Sequence, residues 1–147
     1  MLTEEALQLF LPRLPKTAAL SEKEVEDFYV LGFSLYQTGS FQEASDVFEV
    51  LCSQSPFQYA HWFALASSLQ ESANYEKALH AWSMAAVLDP SHPKPHFHAA
   101  ECCFSLGQME EAKRALEASS KRAEDDLILQ DQIEALQTRW SEILCRI

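Results

Sequence analysis

Residues 66–100 read ASSLQESANYEKALHAWSMAAVLDPSHPKPHFHAA, a run that begins and ends on alanine at one register position. Moving outward by 34 residues, the same register holds Gly32, Ala66 and Ala100, then Phe41, Tyr75 and Met109, then Ala44, Ala78 and Ala112. Phe48, Trp82 and Leu116 keep the step, and so do Pro56 and Pro90. The columns describe antiparallel helix pairs. A small residue at 32, 66 or 100 lets the second helix of a pair approach the first, and Ala44, Ala78 and Ala112 do the same from the other side. The bulky side chains at 48, 82 and 116 fill the space between neighbouring pairs. Pro56 and Pro90 close one pair and open the next, because proline lacks an N–H and is tolerated only in a helix's first turn.

A 34-residue period with small and large residues alternating in this way is the tetratricopeptide pattern. It predicts an all-α solenoid of three repeats at 25–58, 59–92 and 93–126. Three repeats are about the minimum that buries a continuous core, and the ends need more polar covers. Residues 127–147 supply one: Leu129, Ile133, Leu136, Trp140 and Ile143 follow a 4,3,4,3 spacing among polar residues, an amphipathic capping helix. Residues 1–24 form an N-terminal extension. In it Thr3 caps a short apolar helix of Leu2, Ala6, Leu7, Leu9, Phe10 and Leu11, which Pro12 and Pro15 end. That helix is too short and too acidic for a signal peptide, and no apolar run is long enough for a membrane span.

The chain has 147 residues, 48% of them hydrophobic, which suits a single helical domain. Eleven basic against 22 acidic side chains give a net charge of −11, spread along the sequence. Such a surface repels nucleic acid and anionic membranes. Cys52, Cys102, Cys103 and Cys145 show neither CxxC spacing nor a disulfide framework, so free thiols in a reducing compartment are expected.

The first helix of each repeat lines the concave face of such a solenoid, through its second, fifth, ninth and twelfth residues. These are Glu26, Tyr29, Phe33 and Tyr36, then Ala60, Phe63, Ser67 and Gln70, then Lys94, Phe97, Glu101 and Phe104. Six of the twelve are aromatic. An aromatic row turned away from the core is an exposed apolar patch, and such patches mark binding sites. The expected site is therefore a peptide groove of Tyr29, Phe33, Tyr36, Phe63, Ser67, Gln70, Lys94, Phe97, Glu101 and Phe104, with the tyrosine hydroxyls available to a ligand backbone.

Two stretches carry a resemblance to a known family. Residues 28–39, FYVLGFSLYQTG, are similar to the Y-x-L-G-F-x-x-Y-Q-x-G motif, and residues 97–102, FHAAEC, to the F-H-A-A-E-C motif, of the class II chaperones of bacterial type III secretion. The resemblance implies a cytoplasmic bacterial chaperone with hydrophobic translocator proteins as partners. It implies binding of an extended client segment with Pro-x-Leu-x-x-Pro spacing, in pockets made by Tyr29, Phe33 and Tyr36 and completed by Phe63, Phe97 and Phe104. An extended, proline-rich segment loses little entropy on docking into aromatic grooves. The resemblance also implies a homodimer through the N-terminal extension, with Leu7, Phe10 and Leu11 as contacts.

Other classes fit less well. A carboxylate-clamp domain would need Lys and Asn where Tyr29 and Phe33 stand and Asn at Ala64, leaving only Lys94 and His98 as donors for an anion. A scaffold or co-chaperone binding another peptide is the alternative reading. An enzyme has little support: His92, His96 and His98 are separated by Pro93 and Pro95 and lack a completing ligand, and there is no phosphate loop. No cofactor, metal or catalytic residue is expected.

Overall fold

The computed structural model describes residues 19–146, so the dimer contacts expected at Leu7, Phe10 and Leu11 lie outside the described residues. Among those described there are seven α-helices and no strand: α1 Glu22–Gln37, α2 Phe41–Gln54, α3 Tyr59–Glu71, α4 Tyr75–Leu88, α5 Pro93–Ser105, α6 Met109–Arg122 and α7 Leu127–Cys145. Ser21 starts α1 with a capping box. Its hydroxyl accepts from the Glu24 N–H while the Glu24 carboxylate accepts from the Ser21 N–H, each at 3.2 Å. Pro93 opens α5 behind His92, whose Nδ1 accepts from the Lys94 N–H at 3.2 Å.

The turns repeat as faithfully as the helices. Gly39, Ala73 and Gly107, again 34 apart, are the left-handed residues after α1, α3 and α5, with φ of 84°, 61° and 75°. At each turn the next N–H closes back on the helix, from Ser40 to Leu35, Asn74 to Leu69 and Gln108 to Cys103, all at 2.9 Å. This is the Schellman ending, which satisfies carbonyls that a helix end leaves open. Glycine adopts the conformation without strain, whereas Ala73 carries a Cβ in it.

Packing divides the chain into a unit ending at Asn74, which holds α1 to α3, and a unit beginning at Tyr75, which holds α4 to α7. The division falls inside the second 34-residue repeat. In the first unit α2 packs on both α1 and α3, and in the second α5 packs on both α4 and α6, so packing advances helix by helix.

The core of the first unit includes Phe28, Ala44, Val47, Phe48, Leu51, Leu65, Ala66 and Leu69. A Cβ placed on Gly32 would lie 2.7 Å from the buried Phe48 ring, the close approach that the small-residue column predicts. In the second unit Ala78, Ala81, Trp82 and Ala85 are buried on α4, and Phe97, Ala100, Cys103, Ala112 and Leu116 form a cluster with Leu129, Ile133 and Trp140 of α7. Asp126 caps α7 by accepting from the Leu129 N–H at 3.0 Å. Gln130 pins it by donating to the Ser120 and Ala123 carbonyls, both at 3.0 Å. The buried stripe of α7 ends at Trp140, and Ile143 is exposed. Cys52, Cys102 and Cys103 are buried free thiols and Cys145 an exposed one.

Candidate functional site

In the first unit α1 and α3 touch, and both present residues of the expected binding face. Tyr29, Phe33 and Tyr36 follow one another at spacings of four and three, so they share a stripe of α1. The two tyrosines are half-buried, and each rests on an aromatic neighbour. Tyr29 meets Phe48 edge-on at 5.9 Å and the buried His61 ring at 5.9 Å, while Tyr36 meets Phe41 edge-on at 5.1 Å. Such contacts fix ring orientation at a cost of little residual motion. Between them Phe33 is 50% exposed, and Val30, one turn away, is 67% exposed. Val30 was not among the expected site residues; its outward position on α1 beside Phe33 is the signal that finds it.

On α3, Phe63 is half-buried and tilted against Tyr59 at 5.8 Å, and Ser67 and Gln70 are half-buried. The Ser67 hydroxyl donates to the Phe63 carbonyl at 2.9 Å, so it faces a ligand as an acceptor. Burial, and then the Glu71 carboxylate, push the Tyr36 hydroxyl above its ordinary value, so it is a proton donor throughout the neutral range. Burial lowers His61, which is therefore a neutral ring beneath Tyr29. The result is an apolar ledge with a protonated phenol along its edge.

The second unit differs. Lys94 is exposed and Glu101 partly exposed on α5, as expected. Phe97 is not an open-face residue: it is 8% exposed and belongs to the core cluster with Ala100, Cys103 and Leu116. The reason is local, because α5 is flanked by α4 and α6 and this part of its surface turns into their contact. Phe104 is half-buried, as Tyr36 is, and stacks on Trp140 of α7 at 4.6 Å and 6°. The capping helix takes the ring that the twelfth-residue rule assigns to a ligand.

His98 fills part of the place left. Its Nδ1 lies 2.6 Å from Glu101 Oε1, and its ring stacks on Trp82 at 4.7 Å and meets Phe97 edge-on at 5.2 Å. A cleft of about 800 Å³ in the same unit runs past Lys94, Lys121, Arg122, Asp126, Leu127 and Ile128. Its walls carry both charges, so it does not extend an apolar face. Among the described residues no group of three His, Cys, Asp or Glu side chains is placed to hold a metal ion, and no helix is long and apolar enough to cross a membrane.

Helix pairs closed by a repeated left-handed turn, with small residues at each crossing, define a tetratricopeptide-repeat protein. Residues 25–53 match the model described as tetratricopeptide repeat, and residues 47–119 match that of anaphase-promoting complex, cyclosome, subunit 3. The low calcium response locus protein H of Yersinia pestis is 30% identical over 125 residues, covering 85% of this chain and 72% of that protein. The Yersinia enterocolitica type III secretion chaperone SycD, solved with a peptide of the translocator YopD, is 31% identical with a TM-score of 0.70, covering 84% of this chain and 92% of that one. PcrH, solved with the chaperone-binding region of PopD, is 28% identical with a TM-score of 0.76, covering 88% and 98%. The chain belongs to the family of type III secretion translocator chaperones.

Proposed function

We propose that this chain is a cytoplasmic chaperone of a bacterial type III secretion system, and that it holds an extended Pro-x-Leu-x-x-Pro segment of a hydrophobic translocator on its open aromatic face. The observation that carries the proposal is the ledge of the first unit. Phe33 stands half-exposed between Tyr29 and Tyr36, whose rings are braced by Phe48, His61 and Phe41. Phe33 and Val30 lie open together on one face of α1 beside the braced tyrosines, and a contiguous apolar patch of this kind suits a binding surface.

Tyr29, Phe33, Tyr36 and Phe63 supply the apolar seats, and Ser67 and Gln70 the polar edge. On α5 of the second unit, taken by itself, Lys94 is exposed and Glu101 and Phe104 are part-exposed. A proline-rich client arrives extended, so docking costs little ordering entropy, and its aliphatic anchors gain roughly 25 cal/mol per Å² of apolar area covered. The action is protective binding without chemistry: the client's membrane-active segments are kept from associating until it is handed on. SycD and PcrH, solved with translocator segments, support this reading by kinship.

The test is a calorimetric titration with a nine-residue peptide of Pro-x-Leu-x-x-Pro spacing, beside an acidic C-terminal peptide. Micromolar binding of the first alone, lost in Phe33→Ala, is the expected result. Binding of the acidic peptide alone would replace this reading with a co-chaperone clamp.

A further inference from the structure

Charge is spread unevenly between the two halves of the sequence, and the imbalance falls where the aromatic ledge is. Residues 19–74, in the first unit, hold eight acidic side chains and a single basic one, Lys23. Residues 75–147 hold twelve and eight. Two carboxylates of the first unit stand at the ends of the ledge itself. Glu26 precedes Tyr29 by three residues and Phe33 by seven, so it continues their stripe toward the start of α1. At the other end, burial and then the Glu71 carboxylate raise the Tyr36 hydroxyl, which puts Glu71, the last residue of α3, beside the ring that closes the stripe. Glu71 also lies four residues beyond Ser67 and eight beyond Phe63, on the side of α3 that the ledge uses. Both glutamates are exposed, and neither is engaged in an ion pair among the described residues. The acidic residues of α6 differ: Glu110, Glu111 and Glu117 pair within that helix with Lys113, Arg114 and Lys121.

We propose that the ledge selects a client segment in which lysine or arginine accompanies the apolar anchors, and that Glu26 and Glu71 are the specificity-determining residues that meet those charges, one at each end. This rests on the peptide-binding reading above and adds to it the sign of the client's charge. The methylene stem of a lysine can lie across a tyrosine ring of the stripe while its ammonium reaches the carboxylate beyond. Each exposed pair is weak by itself, but a surface of one sign also steers an oppositely charged segment in and repels an acidic one before its anchors are seated. The rings set affinity, and the two glutamates set which charge is admitted.

The probes are nine-residue Pro-x-Leu-x-x-Pro peptides in which each position other than the prolines and the leucine carries in turn lysine, norleucine or glutamate, titrated at low ionic strength. At least one lysine position should bind about two- to fivefold tighter than its norleucine counterpart, the range of a single exposed ion pair, and the glutamate counterpart should bind more weakly than both. Glu26→Gln or Glu71→Gln should erase the advantage at the position it meets and leave norleucine affinity unchanged. Glu49→Gln makes the same change of net charge at an exposed site on α2, which contributes no ring to the open stripe, and should leave the advantage in place. No lysine advantage at any position, or one that neither Glu26→Gln nor Glu71→Gln alters, overturns the proposal. An advantage that Glu49→Gln reduces as much as they do also overturns it, since charge would then act diffusely. Failure of the underlying reading looks different: the norleucine probe does not bind, or it binds Phe33→Ala as well as the parent, and this proposal then falls with it.

Discussion

The two units use the same helix-pair geometry and dispose of their aromatic rings differently. In the first, Tyr29, Phe33 and Tyr36 lie along the accessible side of α1, with Phe33 half in water. In the second, Phe97, the counterpart of Tyr29, is in the core, while Phe104, the counterpart of Tyr36, is half-buried like it and stacked on Trp140 of α7. The difference teaches that position within a repeat does not decide exposure. What decides it is which neighbouring helices cover that position: within its unit α5 packs between α4 and α6, whereas α1 packs on α2 and only touches α3.

The sharpest way to break the comparison is to exchange alanines between the units. Phe97→Ala should destabilise by about 3–5 kcal/mol in a urea titration, as truncation of a buried phenylalanine does, and the same range is expected for Trp82→Ala. Phe33→Ala should stay within about 0.5 kcal/mol while abolishing binding of the proline-leucine-proline peptide. Equal destabilisation by Phe33→Ala and Phe97→Ala would erase the distinction between ledge and core.

Gly32→Ala comes next. Its new Cβ would press on the Phe48 ring at 2.7 Å, and that ring is buried and cannot swing away. A loss of about 1–3 kcal/mol in chemical denaturation is expected, the usual cost of overpacking. Ala73→Gly runs the other way. Relieving a left-handed alanine should stabilise by about 0.5–1 kcal/mol, read as a rise in melting temperature, whereas Gly39→Ala, at φ 84°, should lower it.

The smallest effect is on pH, and one histidine in each unit reports it. Burial lowers His61, and burial and then the Arg122 charge lower His96, below the ordinary 6.5. Both rings are neutral in the fold, so on acidification the unfolded chain takes up protons first. Their contribution to stability is complete above pH 6.5 and is lost as pH falls through the lowered folded values. Melts between about pH 7.5 and 5.5 should show this decline. Replacing His61 or His96 singly with glutamine should flatten it in part, which apportions the effect between the units.

Much of the fold was legible because it is written in volume. Gly32, Ala44 and Phe48 state how closely two helices approach, and Ala78 with Trp82 and Ala112 with Leu116 state it again. The Ser21 and Glu24 capping box and the column of Gly39, Ala73 and Gly107 were equally present in the sequence, as S-x-x-E spacing and as a 34-residue step. The open aromatic stripe was legible only where it depends on one helix. Tyr29, Phe33 and Tyr36 share a stripe whatever surrounds them, whereas the fate of Phe97 and Phe104 is fixed by α6 and α7, distant in sequence. The stack of His98 on Trp82 was not legible, because it joins α4 to α5 and no spacing within α5 encodes it. Ile143 continues the apolar rhythm of α7 and is exposed all the same, since rhythm says nothing of where the partner surface stops.

The four thiols give the molecule a practical asymmetry. Burial pushes Cys52 and Cys102 up to about 12, and Cys103 is raised by burial and then by Glu111. At neutral pH roughly one Cys52 or Cys102 side chain in 10⁵ is thiolate, the only form that attacks an electrophile. Cys145 is exposed at the far end of α7. A maleimide dye added to the folded protein should therefore enter at that single position, giving a fluorescent reporter in the native sequence with no cysteine removed.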